Sequence, residues 1–497
     1  MSNMRIPLQW TYFILIFLFF QFGRPMNPDK TKPNILFLFT DDQTYEAVHA
    51  LGNEVVETPN MDRLIQSGTL FTHAYNMGGW NGAICTASRA MIISGRSIWD
   101  ANEFRQRWIS GDSAALEMTW GRMMHRAGYD TYMTGKWHVD APADRVFDIA
   151  RHVRPGMPPD QWPHKEKDQL PPGYNRPLSP RDSSWLPTDT TRGGYWSGGK
   201  HWSEVVRDDV LDYLQMANQS DRPFFIYAAF NAPHDPRQSP QAYLDRYQVD
   251  EIPLPPNFLP EYPDKEKIGA GSDLRDEALA PFPRTAYAIQ KHRQEYYAPI
   301  THLDDQIGQI LAKLDNLGMK ENTYVFLTAD HGLAIGSHGL LGKQSLYDHS
   351  IRVPLAMTGP DVPEAYQVDA DVYLQDVMAT ALQIAGVEKP GFVTFKSLWE
   401  VLEKKPGSNL EKGVYGAYMN LQRMIRKDGY KLIVYPEVPR ILLYDLKADP
   451  HEINNLSDSD VYRDRIGNLW HDLKQVQADM HDSLALPDSP EGWLIQK

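Results

Sequence analysis

The sequence predicts an α/β fold, with a large mixed, mostly parallel sheet between helices and a smaller C-terminal domain of antiparallel sheet plus helix. Four short apolar runs each end abruptly in polar residues, which is typical of strands buried on both faces of a parallel sheet. A pair of apolar runs joined by a tight turn near the C-terminus indicates the second sheet. The four runs are Asn34–Thr40, Tyr129–Thr134, Phe224–Phe230 and Thr323–Thr328.

Helical periodicity appears between these runs. Apolar residues recur at spacings of three and four from Ile300 to Leu317, and Gly318 follows as the predicted C-cap. In sheets of this kind ligands bind beyond the carboxyl ends of the strands. Because all four polar clusters lie at carboxyl ends, we expect them to converge on one site.

The N-terminus predicts export. Met1–Gln9 contains Arg5 and no acidic residue, and Trp10–Phe22 is apolar apart from Thr11 and Gln21. Such a stretch is too short to span a bilayer comfortably and is typical of a secretory signal. We expect residues 1–24 to be a signal peptide and the protein to be periplasmic or secreted, with no stable transmembrane domain. An uncleaved N-terminal anchor is the alternative.

The remaining chain divides into a large domain and a small one. Near the C-terminus, Met424–Tyr435 predicts two strands that turn at Asp428-Gly429, and Val461–Met480 predicts a closing helix. Within the large domain, a segment rich in Pro, Gly, Arg and Trp indicates an insertion or long loop with little regular structure. The predicted bounds are residues 33–400 for the large domain, about 141–202 for the insertion and 413–497 for the small α+β domain.

Composition narrows the classes of partner. The 497 residues include 50 basic and 64 acidic side chains, so the formal net charge is 50 − 64 = −14. An acidic surface gives no bulk attraction to nucleic acid or to anionic lipid, and we expect no nucleic-acid partner. Cys85 is the one cysteine, which excludes an intramolecular disulfide.

Two strand-end clusters contain the residue types that bind metal. Asp41 and Asp42 follow the first run, and Asp330 and His331 follow the last. Adjacent like charges are unfavourable without a cation, and three carboxylates suit Ca²⁺ or Mg²⁺. The histidine alone would favour Zn²⁺ or Mn²⁺, so ligand type leaves the metal open. A helix N-cap pair is the alternative for Asp41 and Asp42.

The residues that follow the lone cysteine favour an anionic group at this position. Cys85-Thr-Ala-Ser-Arg89 leads into Ala90–Ile93, which predicts a helix that begins close to the cysteine. Anions are favoured at helix N-termini, and Arg89 adds a forked donor suited to a tetrahedral oxyanion. The alternative is that Cys85 is simply a small buried hydrophobic residue.

Cys85-Thr-Ala-Ser-Arg89 resembles the signature of type I, formylglycine-dependent sulfatases of the alkaline phosphatase superfamily. The order and separation of further motifs between Pro33 and Leu456 fit that family. Two positions depart from it, because Ala87 stands where proline is most common and His331 stands where many relatives carry asparagine. The further motifs are Pro33–Asp42, Thr58–Leu64, Gly135–His138, Ala232–His234, Asp330–Gly332, Leu443–Glu452 and Asn455-Leu456.

The resemblance implies an alkaline-phosphatase-like fold and a sulfuric ester hydrolase. A maturation enzyme would oxidise Cys85 to 3-oxoalanine (formylglycine), and the hydrated aldehyde would attack sulfur with one hydroxyl and expel sulfate with the other. One Ca²⁺ per chain would be held by Asp41, Asp42, Asp330 and His331, together with residue 85.

The resemblance also implies roles for cationic side chains and histidines. Arg89, Lys136 and Lys343 would stabilise the charge that develops on the sulfuryl group. His234 would protonate the leaving alkoxide, and His138 would be the base that collapses the hemiacetal. For Lys343, an exposed loop lysine without function is the alternative.

The insertion favours a sulfated oligosaccharide or polysaccharide as substrate, because aromatic faces stack on sugars and arginines pair with sulfates. Packing of these rings within a loop is the alternative. Asn76–Gly82 and Arg192–Trp202 look like segments of bacterial enzymes that act on marine algal glycans, with ulvan as the first expectation and carrageenan next. The residues concerned are Arg145, Arg151, Arg154, Arg176, Arg181, Arg192, Trp162, Trp185, Trp196, Trp202, Tyr174 and Tyr195.

Two other functional classes remain open at this point. A phosphodiesterase or phosphonate monoester hydrolase of the same superfamily would use the same nucleophile and metal set. A non-catalytic protein that binds sulfated glycans would leave Cys85 unmodified.

Overall fold

A computed structural model describes residues 32–156, 177, 179–182, 185–191, 193–405 and 410–494. The predicted signal peptide lies outside these residues, as do Trp162, Tyr174, Arg176 and Arg192 of the insertion. Residues Pro33–Lys497 form one compact unit, and the division into domains at residues 400 and 413 stays a prediction. Within the described ranges, no helix combines the length and apolarity that crossing a membrane requires.

The described residues form strands that belong to two sheets. The strands are β1 (Asn34–Thr40), β2 (Thr69–Tyr75), β3 (Gly78–Gly79), β4 (Asp130–Lys136), β5 (Ile149–Arg154), β6 (Phe224–Ala229), β7 (Thr323–Ala329), β8 (Arg352–Val353), β9 (Leu355–Thr358), β10 (Tyr366–Tyr373), β11 (Val414–Tyr418), β12 (Gln422–Lys427), β13 (Tyr430–Tyr435) and β14 (Arg440–Asp445).

Helices cover the larger sheet and close the smaller one. They are α1 (Pro59–Gln66), α2 (Ile84–Ser94), α3 (Ile98–Ile109), α4 (Ser113–Glu117), α5 (Trp120–Arg126), α6 (Ala143–Val146), α7 (Trp202–Ala217), α8 (Gln241–Leu244), α9 (Ala286–Asn316), α10 (Asp348–Ile351), α11 (Asp376–Ile384), α12 (Leu398–Leu402) and α13 (Arg463–Asp479). Short 3₁₀ turns lie at His49–Leu51, Val249–Glu251, Glu277–Leu279, Lys320–Asn322, Asp460–Tyr462 and Glu491–Trp493.

The larger sheet has nine strands in the order β10-β2-β9-β7-β1-β6-β4-β5, with β8 paired to β2. Among its described strands, β8 and β9 run antiparallel to their neighbours and the others are parallel. In the register of the central strands, Phe37 of β1 lies opposite Tyr227 of β6 and Phe326 of β7. The predicted large, mostly parallel sheet is confirmed.

Strand β1 shows why the predicted runs are apolar without alternation. Ile35, Phe37 and Phe39 belong to one apolar cluster, whereas Leu36 and Leu38 belong to another. Residues of α1, α7 and α9 join the second cluster, and residues of α2, α3, α5 and α11 join the first. The sheet therefore lies between two helical layers, and each buried side chain contributes about 1.5–3 kcal/mol of apolar burial.

Helix α9 is longer than its periodicity predicted. It begins at Ala286 and continues through Pro299, and its N-terminus is capped by the Thr285 hydroxyl, which accepts a hydrogen bond from the Ala288 amide at 3.1 Å. The C-cap is Leu317, one residue before the predicted Gly318. Gly318 has φ of 69°, the left-handed position that commonly follows a C-cap.

The smaller sheet has the order β14-β13-β12-β11-β3 and is closed by α13. Its predicted hairpin is confirmed, because β12 and β13 are antiparallel and join at Asp428 and Gly429, with φ of 52° and 78°. The sequence did not predict β3, in which Gly78 pairs in parallel with Ala417 of β11. This pair joins the segment before Cys85 to the C-terminal sheet.

The insertion contains regular structure that composition did not indicate. Strand β5 adds to the larger sheet beside β4, so the expectation of little regular structure is wrong at residues 149–154. The segment forms a strand because β4 would otherwise leave a row of backbone groups unpaired at the edge of the sheet, and residues 149–154 pair with them. Trp185, Tyr195 and Trp202 are nearly buried, which supports the packing alternative for these three rings.

Candidate active site

The sheet order brings the predicted strand-end clusters to one edge. Strands β7, β1, β6 and β4 are adjacent and parallel, so their carboxyl ends lie side by side. The first turn of α2 and the loop after β7 complete the same cluster. The residues that the structure brings together there are Asp41, Asp42, Cys85, Arg89, Lys136, His138, His234, Asp330, His331 and Lys343.

Cys85 is the second residue of α2 and is only 2% exposed. Its Sγ lies 3.1 Å from His331 Nε2, 3.2 Å from Lys343 Nζ and 3.5 Å from Lys136 Nζ. Three nitrogen-bearing side chains therefore surround one buried sulfur atom at a helix N-terminus, where negative charge is stabilised.

The charges around Cys85 favour its anion. Burial raises the pKa of the thiol, but Lys136, Lys343 and His331 outweigh burial and hold that pKa well below its ordinary value. Burial lowers the pKa of His331, yet Asp330 and the Cys85 sulfur raise it to about 9. The site is thus organised for an anionic nucleophile or ligand at position 85.

The acidic residues of the site are fully buried. Asp41, Asp42, Cys85 and His331 each offer one ligand atom within 4.8 Å of the others. The backbone amides of Asp42 and His331 donate to Asp330 Oδ1 at 3.1 Å and 3.0 Å. Neither Asp41 nor Asp42 caps a helix, since the next helical turn begins at His49 with Val48 as its N-cap.

These residues fit a hard divalent cation. Asp41 Oδ1 is buried and has no hydrogen-bond partner among the described residues, which leaves an oxygen available to a metal. Burial, and then the neighbouring Asp330, raise the pKa of Asp41. Carboxylate oxygens from three residues are the donor set that Ca²⁺ prefers, and a bound cation would remove their mutual repulsion.

Arg89 holds two of the carboxylates in place. Its Nη2 lies 3.0 Å from Asp330 Oδ2 and 3.6 Å from Asp41 Oδ1, and its Nη1 donates to the Lys136 carbonyl at 2.8 Å. The guanidinium carbon also lies 4.7 Å from the centre of the Phe39 ring. Arg89 is completely buried and its position is set by partners on three segments.

The two lysines that reach the sulfur contact different carboxylates. Lys343 Nζ is 2.7 Å from Asp42 Oδ1 and the residue is 4% exposed, which excludes the alternative of an exposed loop lysine. Burial lowers the pKa of Lys343, but Asp42 and Cys85 raise it well above its ordinary value. Lys136 donates to the carboxylate of Asp41.

His234 presents one ring nitrogen to the site. Its Nδ1 donates to the Asp235 carbonyl at 2.6 Å, and its Nε2 lies 3.8 Å from Asp42 Oδ2. Burial lowers the pKa of His234, but the carboxylates of Asp42 and Asp41 raise it, and the net shift is upward. An upward shift favours the protonated form of His234, which is suited to act as an acid.

His138 lies across the site in a different environment. Its Nε2 is 2.9 Å from the Thr86 hydroxyl, and its backbone has φ of 51°. Burial lowers its pKa below the ordinary value. Because Thr86 is the sequence neighbour of Cys85, this contact places His138 close to the cysteine. A neutral histidine in that position is suited to accept a proton.

Several residues that lie next to the site were not predicted from the sequence. Thr86 and Asp235 adjoin predicted residues, so inspection of their immediate neighbourhood would have found them. Gln344 likewise adjoins the predicted Lys343, whereas Arg275 and Asp276 gave no signal because they lie in a connection without periodicity. Their contacts are visible only in the folded chain.

A small cleft lies beside His234 and is bordered by residues of the insertion. His338, in contrast, lies away from it: its Nε2 donates to the Glu452 carbonyl at 2.9 Å, and its ring stacks on Tyr347 at 3.9 Å. Residues lining the cleft include Arg154, Gly193, Gly194, His201, Trp202, Asn231, Asp235 and Gln238.

Comparisons with known proteins agree with this geometry. The family described as sulfatase matches residues 33–387, and the family described as N-sulphoglucosamine sulphohydrolase, C-terminal, matches residues 336–479. An N-acetylglucosamine-6-O-sulfatase of Bacteroides thetaiotaomicron is 24% identical, over 95% of this chain and 91% of the relative. An ulvan-active sulfatase of Formosa agariphila is 26% identical, over 93% of this chain and 84% of the relative.

A solved structure, determined in complex with its substrate D-glucosamine-2-N,6-O-disulfate, superimposes with a TM-score of 0.70 at 23% identity. The match covers 93% of this chain and 100% of that one, and it shows a shared fold. The family match spans most of the chain and includes the residues that surround Cys85. The chain therefore belongs to the sulfatase family and is a sulfuric ester hydrolase with an alkaline-phosphatase-like fold.

Proposed function

We propose that this chain hydrolyses sulfate esters of a sulfated algal polysaccharide or its oligosaccharides, with ulvan favoured and carrageenan next, through a formylglycine made from Cys85. The observation that carries the proposal is the convergence of Lys136, Lys343 and His331 on the buried Cys85 sulfur. A sulfate group bound at this point would meet two cationic side chains and an acidic metal site.

The residues present fit the two groups that the mechanism needs. Asp41, Asp42, Asp330 and His331 would hold one Ca²⁺, which would supply Lewis-acid polarisation of a sulfate oxygen. A hydrated formylglycine would supply a geminal diol, of which one hydroxyl attacks sulfur and the other later expels sulfate as the aldehyde reforms. A formylglycine-generating maturation enzyme is the partner that this modification requires.

The side chains of the chain itself provide charge and protons. Lys136 and Lys343 both reach residue 85 and would stabilise charge on the reacting sulfuryl group, and Arg89 fixes the carboxylates of Asp41 and Asp330. His234 offers the proton of Nε2 to the departing sugar oxygen, because its Nδ1 is already bound to a carbonyl. His138 takes up the proton of the second hydroxyl when sulfate leaves.

The substrate class rests on the cleft and on the relatives. The cleft adjoins His234, the side from which a leaving sugar would depart, and Arg154 of the insertion lines it. One relative is named as an ulvan-active sulfatase and another as an N-acetylglucosamine-6-O-sulfatase, so both are sulfatases of saccharides by name. We also propose export to the periplasm or beyond the cell, where such polymers are met.

The test is sulfate release by the protein produced with the maturation enzyme. Ulvan oligosaccharides, carrageenan oligosaccharides and 6-O-sulfated N-acetylglucosamine are compared by ion chromatography, with Cys85→Ala as the inactive control. We expect release from ulvan fragments. Release from either other substrate alone would contradict the ulvan assignment.

Two further measurements test the reaction itself. Intact mass of the peptide that spans residue 85 should be lower than that of the cysteine form. Aryl sulfate should be hydrolysed faster than an aryl phosphonate ester, and the reverse order would favour the phosphonate monoester hydrolase class.

A further inference from the structure

A chain of polar contacts joins the two sides of the active site through Arg275. On one side stands His234, whose Nδ1 lies 3.3 Å from Asp235 Oδ1 as well as bonding the Asp235 carbonyl. On the other side stands the loop that bears Lys343. Arg275 contacts carboxylates that belong to both sides.

On the His234 side, Arg275 makes two hydrogen bonds to one carboxylate, that of Asp235. Arg275 Nη2 donates to Asp235 Oδ1 at 3.1 Å, and Nη1 donates to Asp235 Oδ2. This fork fixes both oxygens of the carboxylate, which a single contact would leave free to rotate. Asp235 is 4% exposed, and its pKa is held well below the usual range because Arg275 and His234 outweigh its burial.

The contacts on the Lys343 side do not depend on Arg275 alone. Arg275 also contacts Asp276, but the Gln344 side chain donates independently to Asp276 Oδ2 at 2.7 Å and to the Gly82 carbonyl at 2.8 Å. The Gln344 oxygen in turn accepts from the Lys343 amide at 2.9 Å. Loss of Arg275 would therefore leave the Lys343 loop with its own anchors.

We propose that Arg275 is a positioning residue for leaving-group protonation, because it locks the Asp235 carboxylate against His234 and so keeps His234 Nε2 directed into the site. This role rests on the proposed function of His234. Arg275 itself is 28% exposed and contacts Asp235 and Asp276, so the proposed role acts through Asp235.

The proposal predicts a dependence on the leaving group. A poor leaving group needs a proton from His234, whereas a good one departs without it. A misplaced acid should then slow hydrolysis of phenyl sulfate by roughly 10- to 100-fold, while hydrolysis of 4-nitrophenyl sulfate changes by no more than about 3-fold.

The experiment measures kcat and KM of the matured, metal-loaded protein on these two aryl sulfates. We expect Arg275→Ala to lower kcat for phenyl sulfate selectively, and guanidinium ion added to the assay to restore part of it. Arg275→Lys should fall between Ala and the parent protein, and it replaces the Ala variant if that variant does not fold. Asp235→Asn should show the same selectivity, and combining it with Arg275→Ala should add little.

Arg440→Ala is the matched control. Arg440 also anchors the connection between β6 and α9, through Asp264 at 2.8 Å, but it lies on β14 away from the site. Its loss should leave the ratio of the two rates unchanged. An equal loss on both sulfates in Arg275→Ala, or no loss on either, would overturn the positioning role. Inactivity of the matured parent protein on every sulfate ester would instead overturn the proposed function, and this role with it.

Discussion

His331 and His338 lie seven residues apart in the same loop, but their surroundings shift their pKa values in opposite directions. Burial opposes the charge on both rings. At His331, Asp330 and the Cys85 sulfur outweigh burial and raise the pKa to about 9. At His338, burial dominates and lowers the pKa to about 4. Only the neighbours of each ring separate a residue of the site from a structural one.

His338 therefore predicts a pH dependence of stability. Its folded pKa of about 4 is below the ordinary value of 6.5, so the unfolded state gains a proton first as pH falls. The stability that neutral His338 contributes is full above pH 6.5 and is lost between pH 6.5 and 4. Between pH 7 and pH 5 the free energy of unfolding of the parent protein should fall by roughly 2 kcal/mol more than that of His338→Gln.

Urea unfolding at the two pH values measures this difference. His471→Gln, which changes an exposed histidine of α13, is the control and should follow the parent protein. Equal pH dependence in the parent protein and His338→Gln would show that the ring does not resist protonation in the fold.

At the scale of elements, β3 links Cys85 to the C-terminal sheet. A Cβ atom on Gly78 would lie 2.0 Å from the Ala417 carbonyl oxygen, and its φ is 87°. Gly128 has a similar φ of 94°, but a Cβ there meets nothing within 4 Å. Alanine at Gly128 should thus cost only the conformational strain of about 1–2 kcal/mol, whereas alanine at Gly78 must also separate two paired strands.

We accordingly expect Gly78→Ala to lower the free energy of unfolding by at least about 2 kcal/mol more than Gly128→Ala. It should also lower sulfatase activity, because β3 precedes the turn that leads to Cys85. Urea unfolding and aryl sulfate turnover check the two effects. A similar decrease in the free energy of unfolding in both glycine variants would mean that the pairing of β3 with β11 contributes little to stability.

Some strands and helices could be predicted from the sequence, and others could not. Four central strands were found because burial on both faces leaves continuous apolar runs. Strands β3 and β5 were missed because Gly78-Gly79 has no apolar pattern and Ile149–Arg154 is a partly exposed edge strand of mixed polarity. Helix α9 was predicted too short, since the part before Ile300 carries less regular apolar spacing and ends in Pro299.

At the scale of the whole molecule, stability should be linked to calcium. Three buried carboxylates lie at the junction of β1 and β7, and a cation that binds them only in the folded state stabilises that state. Calcium at a hundred times its dissociation constant should add about 2.7 kcal/mol to the free energy of unfolding. Thermal unfolding with chelator and with added calcium measures the effect.

Asp41→Asn provides the specific comparison, because it removes one carboxylate while keeping a side chain of similar size. Its melting temperature should respond less to calcium than that of the parent protein. A calcium response of equal size in both would place the stabilising ion elsewhere.

The sequence by itself determined the class of the molecule and predicted the residues of its centre. Apolar runs ending in Asp, Lys and His predict a parallel sheet with a site at its edge, and the motif at Cys85 identifies a sulfatase, because both signals are local. Only the tertiary structure decided which contacts hold the residues of the site in place. Three features join residues distant in the chain: the pairing of β3 with β11, the link from His234 through Asp235 to Arg275, and the burial of Trp185, Tyr195 and Trp202. Such contacts depend on the paths of aperiodic connections, which carry no local pattern from which their positions could be predicted.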